Sequence, residues 1–170
     1  AEILRVADGR SLGPGPIALA VDVGGTGMKA ALFDADGRLV EAMTAPTPEC
    51  TDSAAREIVD LVADLHAEFA RTQPEHRVAE AAVVLPGIVD EATGTGVFSA
   101  NLGWRNVAFS QVLTDRLGVP VAVSHASSTG AYCVQSASTR ARGRVSGSWA
   151  GCATSTGAVD ASSVVAFTGG

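Results

Sequence analysis

"VDVGGTGMKAALFDADG", residues Val21 to Gly37, decides the fold. Three glycines, Gly24, Gly25 and Gly27, stand within four positions between two apolar runs. The run before them, "IALAVDV" (Ile17 to Val23), is β-branched and bounded by Pro16 and Gly24, which predicts a buried strand. The run after them, "MKAALFD" (Met28 to Asp34), predicts a second strand. Asp36-Gly37 then offers the positive φ values of a tight hairpin, and "RLVEAMT" predicts a third strand. Three strands with short turns make an antiparallel meander.

The glycines do not form either common nucleotide motif. A P-loop needs Gly-Lys-Ser/Thr opening a helix, and the dinucleotide fingerprint needs a third glycine, again opening a helix. Here a strand follows, so the loop is a hairpin turn. Glycines at φ > 0 would let backbone N–H groups point at an anion with no Cβ in the way. Thr26 adds a hydroxyl donor, Asp22 at the strand end is placed to organise Mg²⁺ through water, and Lys29 offsets phosphate charge. Two adjacent glycines alone also fit an ordinary glycine-rich hairpin. Asp-x-Gly-Gly-Thr between two strands is more specific and favours a phosphate loop.

Further along, "APTPEC" (Ala45 to Cys50) ends the sheet path with two prolines. "TDSAAREIVDLVADLHAEFART" predicts a helix capped by Thr51 or Asp52, with Ala54, Ile58, Leu61, Val62, Leu65 and Phe69 on one apolar face. "VAEAAVVLP" (Val78 to Pro86) predicts a buried strand, and "GIVDEATGTGVFSANLGWRN" a long loop. "AFSQVLTDRLG" predicts a short helix closed by Gly118, and "VPVAVS" (Val119 to Ser124) a final strand. The order βββαβαβ describes an α/β layered fold with a helical crossover.

Length and composition set limits. At 170 residues, 46% hydrophobic and 18% charged, the chain carries enough apolar surface for a packed core. The net charge of -6 argues against nucleic acid or an anionic membrane as partner. Apolar runs are strand-sized, so no span is expected. The N-terminal "AEILRVADGRSLGPGP" lacks the basic-then-apolar order of a secretory signal and an initiator Met, so a processed chain or fragment is expected. Cys50, Cys133 and Cys152 form neither a disulfide framework nor a metal pattern, which suits a reducing cytoplasm.

Composition changes after His125. From Ala126 to Gly170 there is no Leu, Ile, Lys, Glu or Pro. Net charge moves from -8 over residues 1–125 (9 basic, 17 acidic) to +2 beyond (3 basic, 1 acidic). No 3.6 or 2 period persists, so the expected organisation is an extension (1–16), a lobe (17–125) and a poorly specified tail (126–170), disordered or frameshifted.

The Asp-x-Gly-Gly-Thr hairpin resembles the phosphate loop of the ROK family, which comprises bacterial sugar kinases and sugar-responsive repressors. A second stretch, "VVLPGIVDEATGTGVFSANLGWRNVAFSQVLTDRLGVPVAVSH", resembles that family's sugar-side segment. The resemblance implies the actin/hexokinase-like (ribonuclease H-like) ATPase fold. It implies that Asp22, Gly24, Gly25, Thr26, Gly27 and Lys29 serve ATP phosphates and Mg²⁺. It also implies that Gly87, Asn101 and His125 face the sugar. At the family's catalytic Asp this chain has Ala126, and alanine cannot take a proton from the accepting hydroxyl. The family's zinc motif and its C-terminal lobe are not recognisable.

Other residues read more plainly. His66 and His76 are expected at a solvated surface, Trp104 in loop packing, and Asp90 and Glu91 as turn carboxylates. The functional expectation is a glucokinase-like, ATP-dependent hexose kinase in a truncated and inactive form. The alternatives are a sugar-binding repressor fragment of the same family or a non-catalytic fragment. Expected partners are a hexose and ATP, with self-association through uncovered lobe surface.

Overall fold

The structure is a computed structural model that describes residues 15–49 and 53–125, together with two-residue strands at 2–3, 131–132 and 165–166. The three-strand meander is present as β2 (Ala18–Val23), β3 (Gly27–Phe33) and β4 (Leu39–Pro46), each antiparallel to the next. The β3–β4 turn is closed by the Asp34 carboxylate, which accepts the N–H groups of Asp36 and Arg38 at 2.9 and 2.8 Å. Only Gly37 (φ 73°) takes the left-handed conformation there, so Asp36 does not share that role. This is a type I turn completed by a glycine bulge.

Helix α1 (Ala54–Thr72) follows, with Ser53 at the N-cap position. The expected caps Thr51 and Asp52 lie outside the described residues. Its buried face is Ala54, Ile58, Val59, Val62, Leu65 and Phe69, so Val59 takes the place expected of Leu61, which is only partly buried. That face covers β2 and β3, where Leu19, Val21, Val23, Met28 and Leu32 are buried. The opposite sheet face is small: Ala18, Ala20, Ala31 and Ala42 around Phe33.

After α1 the chain enters β5 (Glu80–Leu85), parallel to β2. Helix α2 (Phe109–Leu117), closed by Gly118 at φ 72°, leads to β9 (Val121–His125), parallel to β5. The expected long loop between them is instead a small sheet of β6 (Ile88–Asp90), β7 (Thr95–Phe98) and β8 (Arg105–Val107) in that order. It is anchored by Trp104, 4% exposed, whose ring meets Phe109 edge-on at 5.1 Å. Gly96 makes this possible, because a Cβ there would lie 2.8 Å from the Phe109 ring. Trp104 is therefore a packing residue.

The N-terminal extension contributes β1 (Glu2–Ile3), which pairs antiparallel with β4 and completes the order β1-β4-β3-β2-β5-β9. β10 (Ala131–Tyr132) and β11 (Val165–Ala166) pair antiparallel with each other. The remainder of the 126–170 segment lies outside the described residues. No described helix is long and apolar enough to cross a membrane.

Candidate functional site at the C-terminal edge of the parallel strands

Open α/β sheets bind ligands beyond the C-terminal ends of their parallel strands, where loops converge and backbone polar groups are left over. In this sheet that edge holds the hairpin of the first stretch and, from the second, His125. Asp22 near the end of β2 registers with Val84 of β5, and Val84 registers with Ser124 of β9. His125, the last residue of β9, registers with Leu85. Two strand spacings, about 10 Å, therefore separate the Gly24–Gly27 hairpin strand from the strand that carries His125.

Asp22 is 9% exposed. Lys29 stands directly across the β2–β3 ladder from it. The hairpin between them is braced from behind. The Thr47 hydroxyl donates to the Gly24 carbonyl at 2.7 Å, and the Thr47 N–H donates to the Thr26 carbonyl at 3.3 Å. Both loop carbonyls are thus turned toward β4. Gly24 N–H closes the turn on Gly27 O at 3.0 Å. Among the described residues no backbone–backbone bond takes up the N–H of Gly25 or Thr26.

The glycines act differently from the expectation. None of Gly24, Gly25 and Gly27 has a positive φ. Gly24 is required by close approach, since a Cβ would sit 2.6 Å from the Gly27 carbonyl oxygen. A Cβ on Gly25 would meet nothing within 4 Å, so a side chain there would occupy the open mouth of the loop. The loop is narrowed by sterics and not by left-handed backbone.

The sugar-side residues are less tightly gathered. Gly87 does have a positive φ of 100°, but a Cβ there would lie 2.3 Å from the Phe98 carbonyl oxygen. Close packing of the small sheet accounts for this glycine by itself. Asn101 is exposed on the turn that the Gly103 N–H closes on the Ser99 carbonyl at 2.9 Å. His125 is exposed at the strand end. Ala126 lies outside the described residues. A cleft of about 190 Å³ opens beside β9, lined by Glu91, Thr93, Gly94, Ser110, Ala122 and Val123 among others, and touches none of the sequence-assigned residues.

Two of the plainer expectations are corrected. His66 and His76 are half-buried, not solvated. Burial holds the His66 imidazole below its ordinary value of 6.5, because desolvation penalises its charged form. Asp90 is a turn carboxylate, accepting from Ala92 N–H at 3.0 Å and from the Thr93 hydroxyl at 2.9 Å. Glu91 is more than that. Its carboxylate reaches β9, where it accepts from the Ser124 hydroxyl, from His125 N–H at 3.2 Å and from His125 Nδ1 at 2.9 Å. Nothing in the local sequence marks Glu91, because its partners lie more than thirty positions away.

This sheet order, with its hairpin at the strand ends, defines an actin/hexokinase-like ATPase lobe. A model of the ROK family matches residues 18–144, and the chain belongs to the ROK family. The match runs past His125, where the sequence reading ended the resemblance. A glucokinase of Streptomyces coelicolor is 28% identical over 116 residues, covering 68% of this chain and 34% of that protein. A transcriptional regulator of Mycobacterium bovis is 32% identical over 108 residues, covering 64% of this chain and 24% of the regulator. The crystal structure of a ROK family glucokinase from Streptomyces griseus, in complex with glucose and AMPPNP, superposes with a TM-score of 0.56 at 28% identity. That superposition covers 67% of this chain and 34% of the glucokinase. The chain thus spans about a third or less of the length of these curated relatives.

Proposed function

We propose that this chain is the sugar-kinase lobe of a ROK protein, binding a hexose and the phosphates of ATP, and that it is inactive as a transferase with Ala126 in place of a carboxylate. The observation that carries the reading is the meeting of the Gly24–Gly27 hairpin and His125 at one sheet edge, on strands tied in register through β5. Similarity to glucokinases supports it, including one solved with glucose and AMPPNP.

The residues present fit a nucleotide phosphate. The brace from Thr47 turns the loop carbonyls away, Gly25 leaves the mouth open, and Asp22 stands beside it. Gly24, Gly25, Thr26 and Gly27 would hold phosphate through backbone N–H groups and the Thr26 hydroxyl, with Lys29 adding positive charge. Asp22 would organise Mg²⁺, whose contribution when bound is to neutralise charge on the phosphates. The setting assigned in this proposal is carbohydrate metabolism in the cytoplasm.

Calorimetry on the full chain with D-glucose and with Mg²⁺–AMPPNP tests this. Both should bind, while glucose-dependent ADP release should be at least about 100-fold below that of a relative with Asp at the position of Ala126. Binding of neither ligand would overturn the reading, and turnover at a relative's rate would overturn the inactivity. A second reading, a sugar-binding regulator that does not phosphorylate its sugar, draws on the 32% identity to the mycobacterial regulator and on Ala126. Glucose binding without AMPPNP binding would select it.

A further inference from the structure

Three hydrogen-bond donors converge on one oxygen at the end of β9. The Ser124 hydroxyl, the His125 N–H and His125 Nδ1 all meet Glu91 Oε1. Burial raises the Glu91 pKa, but hydrogen bonds from the Ser124 hydroxyl and from the backbone and ring of His125 outweigh it, and the net shift is downward. Glu91 is therefore ionised at neutral pH, and an ionised carboxylate only accepts. The contact with Nδ1 then requires the proton to be on Nδ1. In a neutral imidazole that leaves Nε2 with a lone pair and no proton. The Glu91 side chain is 16% exposed, whereas that of His125 is 56% exposed, so the ring is held on one side and open on the other.

We infer that Glu91 is a positioning residue that fixes His125 as the Nδ1–H tautomer, so that Nε2 accepts a hydrogen bond from a hydroxyl of a sugar held at this sheet edge. The inference rests on the sugar-binding reading above and gives that site an acceptor where the sequence has lost the carboxylate at 126. The chemistry selects a polyhydroxylated ligand, because an acceptor nitrogen next to a fixed carboxylate pairs with a hydroxyl donor and disfavours a second anion. Neither half of the pair works alone. Without Glu91 the ring would be free to turn and to carry its proton on Nε2, and the bond to the sugar hydroxyl would lose both its anchored ring and its fixed direction.

The test is ¹⁵N NMR of the imidazole nitrogens in the full chain at about pH 8, with the His125 signals identified by their loss in His125→Asn. In the wild-type chain, Nδ1 should carry the proton, and D-glucose should move the Nε2 resonance. Glu91→Ala should shift the proton to Nε2 and weaken D-glucose binding, measured by calorimetry, about tenfold. Glu91→Gln, whose carbonyl still accepts from Nδ1, should keep both the tautomer and the affinity to within about twofold. Should Glu91→Ala fail to fold, the glutamine variant and the wild-type titration still decide the matter. An Nε2–H tautomer in the wild type overturns the inference, as does glucose that binds without moving Nε2; in either case the kinase reading survives. Absence of glucose binding to the wild type defeats the sugar reading itself and the role of the pair with it.

Discussion

An ideal Cβ on Gly24 would lie 2.6 Å from the Gly27 carbonyl oxygen, whereas one on Gly25 would meet nothing within 4 Å. Adjacent glycines therefore answer to different demands, and substitution separates them. Gly24→Ala should destabilise the fold by about 1–3 kcal/mol, because the carbonyl it strikes belongs to the first residue of β3 and cannot move without breaking the hairpin. Gly25→Val should leave stability within about 0.5 kcal/mol of wild type but cost at least about tenfold in Mg²⁺–AMPPNP affinity, since its side chain would fill the loop mouth. Urea unfolding and calorimetry on both variants measure the two effects. Equal AMPPNP affinity in Gly25→Val and wild type would remove the phosphate role from the loop. The sequence showed that glycine was needed here but not why. Cβ collisions depend on how the hairpin closes, and the closing bond from Gly24 N–H to Gly27 O is a matter of geometry, not of composition.

Element by element, legibility followed the strength of the local pattern. β2, β3, β4, β5, α1, α2 and β9 all have apolar runs or helical periods long enough to be read directly, and the ends of each shifted by only a few residues. β6, β7 and β8 were missed because strands of three and four residues are too short to show alternation, and the turn-forming segments 91–94 and 99–104 between them dominate the local signal. What makes them strands is tertiary: the Trp104–Phe109 contact and the space left by Gly96. α1 shows the reverse, a clear helix with a histidine whose burial was misread. His66 is half-buried, and burial depresses its pKa below 6.5. As pH falls through 6.5 the unfolded chain takes a proton that the folded helix resists, so the stability linked to this group is full above 6.5 and is lost on the way down to the folded value. The melting temperature of wild type should therefore fall more steeply than that of His66→Gln between about pH 7.5 and about pH 5. Parallel curves for the two proteins would mean that His66 is as well solvated folded as unfolded.

For the molecule as a whole, the sheet has two unlike edges. At one edge β1 pairs with β4, and at the other β9 pairs only with β5 among the described residues. Side chains already take much of the free side of β9: Thr114 Oγ1 accepts from Val121 N–H at 3.2 Å, the Ser110 hydroxyl donates to the Val121 carbonyl at 2.5 Å and Glu91 accepts from His125 N–H, so strand pairing is blunted there. The two large hydrophobic side chains that the described residues leave exposed are on elements packed near this edge: Ile88 of β6 at 60% and Val112 of α2 at 43%. What this edge leaves uncovered is the exposed apolar pair, which a second copy can cover by side-chain contact. We therefore expect the full chain to self-associate, with sedimentation coefficients that rise with protein concentration over roughly the micromolar range. Ile88→Lys and Val112→Lys place charge beside the edge without touching the core or the glycine hairpin, so each should shift the equilibrium toward monomer while leaving AMPPNP affinity unchanged. A wild-type chain that sediments as one monomeric species at every concentration would show that this edge is not a site of association. Association that both lysine variants leave intact would place the contact elsewhere on the chain.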